Sequence, residues 1–467
     1  MTNVPAVLVI IVTWNKKEYV IELLDSLEDL AYPREAMDIL VVDNASSDGT
    51  VKALRERFDD IRIIANTENL GGCGGFNTGL AFAFEQPPQR YDYLWLLDND
   101  VLVQKNTLSA LVEILQENRD VAIAGSTMMQ LTSPWCINEM GAFVDRGRGT
   151  LILNRHRDEV PAFQAKSLSE LLTGDVDLTQ HLEHCRSWMD VDYVAAASLL
   201  VRADVARSAG LWDDYFIHFD DVEWCLRIAG MGNRIAVSAK SLIWHLPADY
   251  KIPTWILYYD NRNVLAMLEK HSDRQAVRGT RNFILKKSLY YKLLGKNDLA
   301  DLILQAVMDF DRGRTGKKNI QLDDCYKSLD QVESYLQDPE IRRVLLPWTV
   351  NLQACDLQRT MARVLKDRQD LQIDYILPAT FLEDVPTIQV PGTVPLRLPD
   401  NKVLRMYSYM RMRGRYDLVF QSEYQQILPL SWLGGKLLFV HYEGISLRMS
   451  PGFGDIWQHV RTLIRNR

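Results

Sequence analysis

The stretch Ala6-Val-Leu-Val-Ile-Ile-Val12 has no polar interruption. A strand that is apolar on both faces must be covered on both, as in a parallel sheet sandwiched by helices. The next hundred residues keep the matching rhythm. Lys17 to Leu30 carries helical apolar spacing at Val20, Leu23, Leu24 and Leu27, and Asp38-Ile-Leu-Val-Val42 is a second buried run. Ser46 to Thr50 supplies turn and N-cap residues before a helix over 51–58. Arg62 to Ala65 reads as a third strand, Asn77 to Phe84 as a helix and Tyr93 to Leu97 as a fourth strand. The fold class is therefore α/β with a mostly parallel sheet, whose binding crevice lies at the carboxyl ends of its strands. Thr13, Asp43, Asn69, Asp98 and Asp100 all fall at or just past such ends.

Asp98-Asn99-Asp100 closes the fourth strand. Two carboxylates one residue apart at that position can share a divalent cation or divide it from a ribose. Asn69-Leu-Gly-Gly-Cys-Gly-Gly-Phe-Asn77 opens a helix in the same crevice. Glycines there, including Gly71 and Gly72, let backbone N–H groups approach an anion at a helix N-terminus. The segment is neither a Walker loop nor a GxGxxG fingerprint. Further on come Phe219-Asp-Asp-Val-Glu-Trp224, which begins a helix over 222–228, and Trp244-His245 after a strand. Clustered Asp220, Asp221 and Glu223 should raise the pKa of at least one of the three.

At 467 residues the chain calls for two or three domains. Its net charge of −8 argues against bulk affinity for nucleic acid. Six cysteines without CxxC spacing read as reduced thiols. His181, His184 and Cys185 lack a second ligand pair and read as a polar helix face, not a zinc site. Neither a signal peptide nor a run of ~20 apolar residues is expected, which gives a cytoplasmic protein, peripheral at most to the inner face of the plasma membrane.

The motifs Val9 to Trp14, Val41-Val-Asp-Asn-Ala-Ser-Ser-Asp-Gly-Thr50, Asp98-Asn-Asp100, Phe219-Asp-Asp-Val-Glu-Trp-Cys-Leu-Arg227 and Trp244-His245, in this order, resemble the family 2, GT-A-type, inverting glycosyltransferases. With the glycine-rich segment and Tyr258-Tyr-Asp-Asn-Arg-Asn263, the resemblance is nearest to bacterial galactofuranosyl- and rhamnosyltransferase-like members, although Phe76 stands where many carry arginine. It implies a metal-dependent transfer from a nucleotide-diphosphate sugar, UDP-galactofuranose or dTDP-rhamnose, to a glycan or lipid-linked glycan acceptor in cell-surface polysaccharide synthesis. Asp221 would be the catalytic base. Asp100, Asp98 and His245 would hold Mn²⁺ or Mg²⁺. Thr13, Asp43, Asn69, Gly71, Gly72, Asn77, Asp98 and Asn99 would face the donor, with Asp43 on the nucleobase. Asp220, Glu223, Trp188 and Asp192 would face the acceptor. Competing readings are a nucleotidyltransferase acting on a sugar phosphate and a catalytically idle sugar-binding protein on the same fold.

The resemblance ends near residue 270, giving a GT-A domain over 1–270, a helical region over 271–370 and a module of unknown role over 371–467. Lys286, Lys287, Lys292 and Lys296 lie among Phe283, Ile284, Leu289, Leu293 and Leu294. Such a helix can lie on an anionic membrane or turn its apolar side to a core, leaving a solvated lysine face. Strand-like 373–377, 417–420 and 436–440 suggest a small α/β module. A last helix over 455–464 is a second candidate for membrane or partner contact.

Overall fold

In the computed structural model, β1 (Val7–Thr13) is buried along its whole length, between and parallel to β2 (Met37–Asp43) and β4 (Tyr93–Asp98). This is the position that the uninterrupted apolar run requires. The residues described are 4–245, 255–320, 331–347, 357–377, 393–399, 401–422, 431–441 and 444–465. They form two compact units, Met1–Arg281 with Ala306–Asn319, and Asn282–Gln305 with Ile320–Arg467.

The first unit adds β3 (Ile61–Ala65), β5 (Val101–Val103), β6 (Val121–Gln130), β7 (Ile137–Glu139), the hairpin β8 (Ala142–Asp145) and β9 (Thr150–Leu153), β10 (Trp188–Val191), β11 (Ser198–Arg202) and β12 (Arg234–His245). The main sheet runs β10-β12-β6-β11-β4-β1-β2-β3, with β5 paired to β12 and β7 to β6. Its β4-β1-β2-β3 part is parallel, while β11 is antiparallel to both its neighbours. The expected α/β class with a mostly parallel sheet is borne out. Helices α1 (Lys17–Glu28), α2 (Thr50–Arg57), α3 (Gly71–Glu85), α4 (Thr107–Glu117), α5 (Leu168–Thr173), α6 (Ala203–Ala209), α7 (Asp220–Gly230) and α8 (Ile256–His271) complete it. Val20, Leu23, Leu24 and Leu27 of α1 bury the face that their spacing marks out.

One boundary differs from the expectation. The glycine-rich segment is not a loop ahead of a helix: α3 begins at Gly71, so the glycines form its first turns. Helical glycine costs about 1 kcal/mol against alanine, and close packing explains why it is kept. A Cβ on Gly75 would lie 2.4 Å from Val12 Cγ1, and one on Gly79 2.3 Å from Ile10 Cγ2. The glycines let α3 press directly on β1. His181, His184 and Cys185 likewise lie in a turn rather than on a helix face, with the His181 ring edge-on to Phe163 at 5.5 Å.

The second unit has a six-stranded sheet in the order β15-β14-β13-β16-β17-β18, from β13 (Arg343–Pro347), β14 (Gln372–Leu377), β15 (Thr393–Arg397), β16 (Tyr416–Ser422), β17 (Gly434–His441) and β18 (Gly444–Met449). All its pairings are parallel except β17 with β18. Helices α9 (Arg274–Leu293), α10 (Asn297–Asp311), α11 (Val332–Gln337), α12 (Leu357–Asp367), α13 (Lys402–Met412) and α14 (Phe453–Arg465) come after α8 along the chain. The lysine-rich helix departs from a solvated lysine face. Lys292 and Lys296 are buried, and the Lys296 ammonium lies over the Phe439 ring at 5.0 Å. Ile284, Leu285 and Leu294 are core residues, whereas Phe283 and Tyr290 are exposed.

Candidate active site

Three side chains that are far apart in sequence meet through strand pairing. β4 delivers Asp98 at its end, two residues turn the chain, and β5 then pairs antiparallel with the end of β12, His245 opposite Val101. This sets His245 Nε2 at 3.1 Å from Asp100 Oδ1. One ligand atom each from Asp98, Asp100 and His245 lies within 4.8 Å of the others, the only such cluster among the described residues. Burial, then the charge of Asp100, raises the Asp98 carboxyl well above its usual range. Burial also pushes Asp100 up, but its bond to His245 outweighs that and holds it low. His245 is raised in spite of its burial, by the bond to Asp100 and the charges around it. His245 Nδ1 is buried without a partner among the described residues. Two hard carboxylate donors and a borderline imidazole, partly buried together, fit Mn²⁺ or Mg²⁺.

Beside this cluster the ends of β1 and β2 face each other, Thr13 opposite Asp43. Both are buried. Asn99 Nδ2 donates to Thr13 Oγ1 at 2.9 Å, tying the acidic turn to β1. Asp43 Oδ2 accepts from the Ser46 N–H at 2.9 Å, whereas its Oδ1 is buried with no partner among the described residues. An unpaired buried carboxylate oxygen is costly unless a ligand donor meets it. Buried Asn44, within the Val41 to Thr50 motif but given no role there, donates to the Gly71 carbonyl at 2.7 Å and accepts from Asn66 at 2.8 Å. Asn69 Oδ1 accepts from the Gly71 N–H at 2.8 Å. Asn77 brackets the Trp212 backbone, accepting from its N–H at 2.8 Å and donating to its carbonyl at 2.9 Å. Asn44, Asn69 and Asn77 thus hold the start of α3, and a Cβ on Gly71 (φ +74°) would lie 2.0 Å from the Phe216 carbonyl oxygen. Gly72 has open space around its Cα.

The Asp220-Asp221 pair starts α7 after a strained approach. Phe216, His218 and Phe219 have φ of 69°, 65° and 64°, a region that costs a bulky residue about 1–3 kcal/mol. Buried Asn263 offsets it, donating to the carbonyls of Tyr215, Ile217 and His218 at 3.1, 2.8 and 2.9 Å. Arg262 adds a bond to the Tyr215 carbonyl at 2.8 Å. The Asn-Arg-Asn segment of α8 therefore fixes the backbone that presents Asp221. Asp221 Oδ2 accepts from the Ala196 N–H (3.2 Å) and the Tyr193 hydroxyl (3.1 Å), and Oδ1 from the Val222 N–H (2.8 Å). Burial raises its pKa, and these bonds partly oppose the rise. Ala196 lies two residues before Ser198, which pairs with Leu97, the neighbour of Asp98. Asp221 and the acidic cluster thus share one edge of the sheet, and the Asp221 charge acts on Asp98.

The other acids differ in their surroundings. Asp220 is buried and raised, first by desolvation and then by Asp221. Glu223, two residues beyond Asp221 and so about 200° around the helix, faces Arg227, His271 at 3.0 Å and Lys270 at 3.8 Å. Burial pushes its carboxyl up, but the bonds from His271 and Arg227 outweigh it and hold it at about 2. That group is engaged in an internal ion cluster. Glu223→Ala is expected to destabilise the fold by about 3–5 kcal/mol, the cost of breaking a buried pair, as urea denaturation would read. A raised KM for acceptor with unchanged stability would instead put Glu223 in the acceptor site. Asp192 Oδ2 accepts from the Val144 N–H at 2.9 Å, and Trp188 lies under the Arg234 guanidinium at 5.2 Å.

Two further groups carry no motif. Glu139, on β7, is raised to about 7 by burial and then by the charge of Asp221, with His245 opposing. His218 Nδ1 lies 2.7 Å from Asp260 Oδ1. Only the position of His218, one residue before the Phe-Asp-Asp motif, could have pointed to it.

Residues 8–140 match the model of the family Glycosyl transferase family 2. The galactofuranosyltransferase GlfT2 of Mycolicibacterium smegmatis is 24% identical over 274 residues, 56% of this chain and 40% of that protein. The Mycobacterium tuberculosis galactofuranosyltransferase GlfT2 is 24% identical over 212 residues, 45% and 32% respectively. The chain thus spans less than half the length of these curated relatives. Among solved structures, the mannosyltransferase PcManGT of Pyrobaculum calidifontis, in complex with GDP-Man and Mn²⁺, aligns with 67% of this chain and 77% of its own, at 17% identity and a TM-score of 0.39.

Proposed function

The chain belongs to glycosyl transferase family 2, and we propose that it moves a hexose from a nucleotide-diphosphate sugar to a glycan or lipid-linked glycan acceptor, with inversion at the anomeric carbon. The observation that carries this reading is the shared sheet edge: a cation-binding set of donors beside a carboxylate fixed by three hydrogen bonds. Asp98, Asp100 and His245 are the residues that would hold Mn²⁺ or Mg²⁺, whose chemistry there is to neutralise charge on the departing diphosphate.

The acceptor hydroxyl attacks the anomeric carbon, the new glycosidic C–O bond forms as the bond to the diphosphate oxygen breaks, and Asp221 takes the hydroxyl proton. Asp221 suits that role because its bonds come from rigid backbone and a tyrosine, so its orientation is set before substrate arrives. Asp43 Oδ1, without a partner among the described residues, is suited to accept from the imide N–H of uracil or thymine. Thr13, Asn69, Gly71, Gly72, Asn77 and Asn99 line or shape the donor side. Asp220, Trp188 and Asp192 are assigned to the acceptor side, in a reaction building surface polysaccharide at the cytoplasmic face of the membrane.

The favoured donor is UDP-galactofuranose, supported by the galactofuranosyltransferase names of the relatives and by the glycine-rich segment. Release of nucleotide diphosphate from a panel of donors with Mn²⁺ tests the reaction class, and pyrophosphate release from a nucleoside triphosphate with a sugar phosphate would overturn it. In competition assays UDP should inhibit more tightly than dTDP. Tighter inhibition by dTDP would make dTDP-rhamnose the donor.

A further inference from the structure

Helix α13 of the second unit is amphipathic in the opposite sense to a core helix. Tyr409 is buried and Met412 packs against the core. Val403, Met406, Tyr407 and Met410, spaced i, i+3, i+4 and i+7, form one face turned to solvent. Val403 is 76% exposed and Met410 70%. Leu404 widens that face. The helix is well started, since Asn401 Oδ1 accepts from the N–H groups of Val403 and Leu404. Residues 402–415 contain Lys402, Arg405, Arg411, Arg413 and Arg415 and no acid, in a chain whose net charge is −8.

Helix α14 repeats the pattern. Phe453, Trp457 and Ile464 are all exposed and fall within one narrow sector of the helix. The Arg461 guanidinium lies over the Trp457 ring at 5.5 Å. Arg413 and Gly414, just after α13, and Phe453 and Ile456 of α14 line one cavity of about 800 Å³, together with exposed Trp432 and Met449 and the acids Glu340 and Asp417. The C-terminal end of α13 and the start of α14 therefore border one region of the unit.

We propose that α13 and α14 dock the second unit on an anionic bilayer surface, with Val403, Met406, Tyr407, Met410, Phe453 and Trp457 entering the headgroup boundary. A solvent-facing apolar stripe with basic flanks is the composition of an interfacial helix. A two-fold pairing with another copy would set this basic patch against itself, whereas anionic headgroups complement it. The inference goes beyond the transferase reading and is measured without turnover.

The test is co-sedimentation of the full chain with phosphatidylglycerol–phosphatidylcholine vesicles and with phosphatidylcholine alone. Binding to the anionic vesicles, weakened by salt, is expected. It should fall at least tenfold in Val403→Glu/Met410→Glu and in the separate charge variant Arg411→Glu/Arg413→Glu, with UDP affinity retained in both. Absence of wild-type binding, or equal binding by the variants, would overturn the proposal. So would a wild-type dimer that the variants convert to monomer, which would assign the face to a second copy.

Discussion

Asp221→Asn is expected to lower the rate of sugar transfer by about 10²–10⁴-fold, the usual cost of a lost general base, while donor affinity stays nearly unchanged. The amide keeps the volume of the carboxylate, and one oxygen can still accept from the Ala196 N–H or the Val222 N–H. What disappears is proton affinity. Single-turnover transfer and calorimetry with the nucleotide separate the two effects, and activity within a few-fold of wild type would remove Asp221 from the role. The pH profile adds an independent reading. A base works deprotonated, and burial raises Asp221 above its free value. The acid limb of kcat/KM should therefore lie above the range of an exposed aspartate, near pH 4, with rate falling as pH drops through it. That limb should vanish in Asp221→Asn.

Periodicity makes the parallel half of the first sheet legible because β1, β2 and β4 are uninterrupted apolar runs that admit one environment. The acids at the ends of these strands are legible for the same reason: Asp43 and Asp98 are the first charges after such runs. Long-range pairing is not. β5 has three residues and no alternation, yet its pairing with β12 is what brings His245 to Asp100. Glu223 shows the converse case. Its motif resembles a cluster of site acids, but the helical period turns it away from Asp221 into a cage formed by Arg227, His271 and Lys270, which no local pattern announces. The glycines of α3 suggest, in the sequence, a ligand approaching from outside, and the structure gives Gly75 and Gly79 a reason on the inside, the approach of β1. In the second unit, β14, β16 and β17 are legible as apolar runs, whereas β13, central in its sheet, is a short run ending at Pro347.

Removing a member of the metal cluster should give a different signature from Asp221→Asn. Asp100→Ala and His245→Ala are each expected to weaken Mn²⁺-dependent binding of the nucleotide diphosphate by at least about 10–100-fold, since even groups that only hydrogen-bond a metal's ligands cost that much. In EDTA, wild type and both variants should bind the nucleotide alike, because the contacts proposed at Asp43 and α3 are untouched. The two substitutions should behave alike because the residues act as a pair: His245 holds the Asp100 carboxyl low, and Asp100 in turn raises the imidazole. Asp98→Asn should match them if Asp98 is a shared ligand, and should instead weaken binding equally with and without Mn²⁺ if it contacts the ribose. Calorimetry with and without Mn²⁺ reads all of these. Unchanged affinity in both Asp100→Ala and His245→Ala under both conditions would dismiss the metal assignment, and the cluster would then be a partly buried ion pair at the end of the sheet.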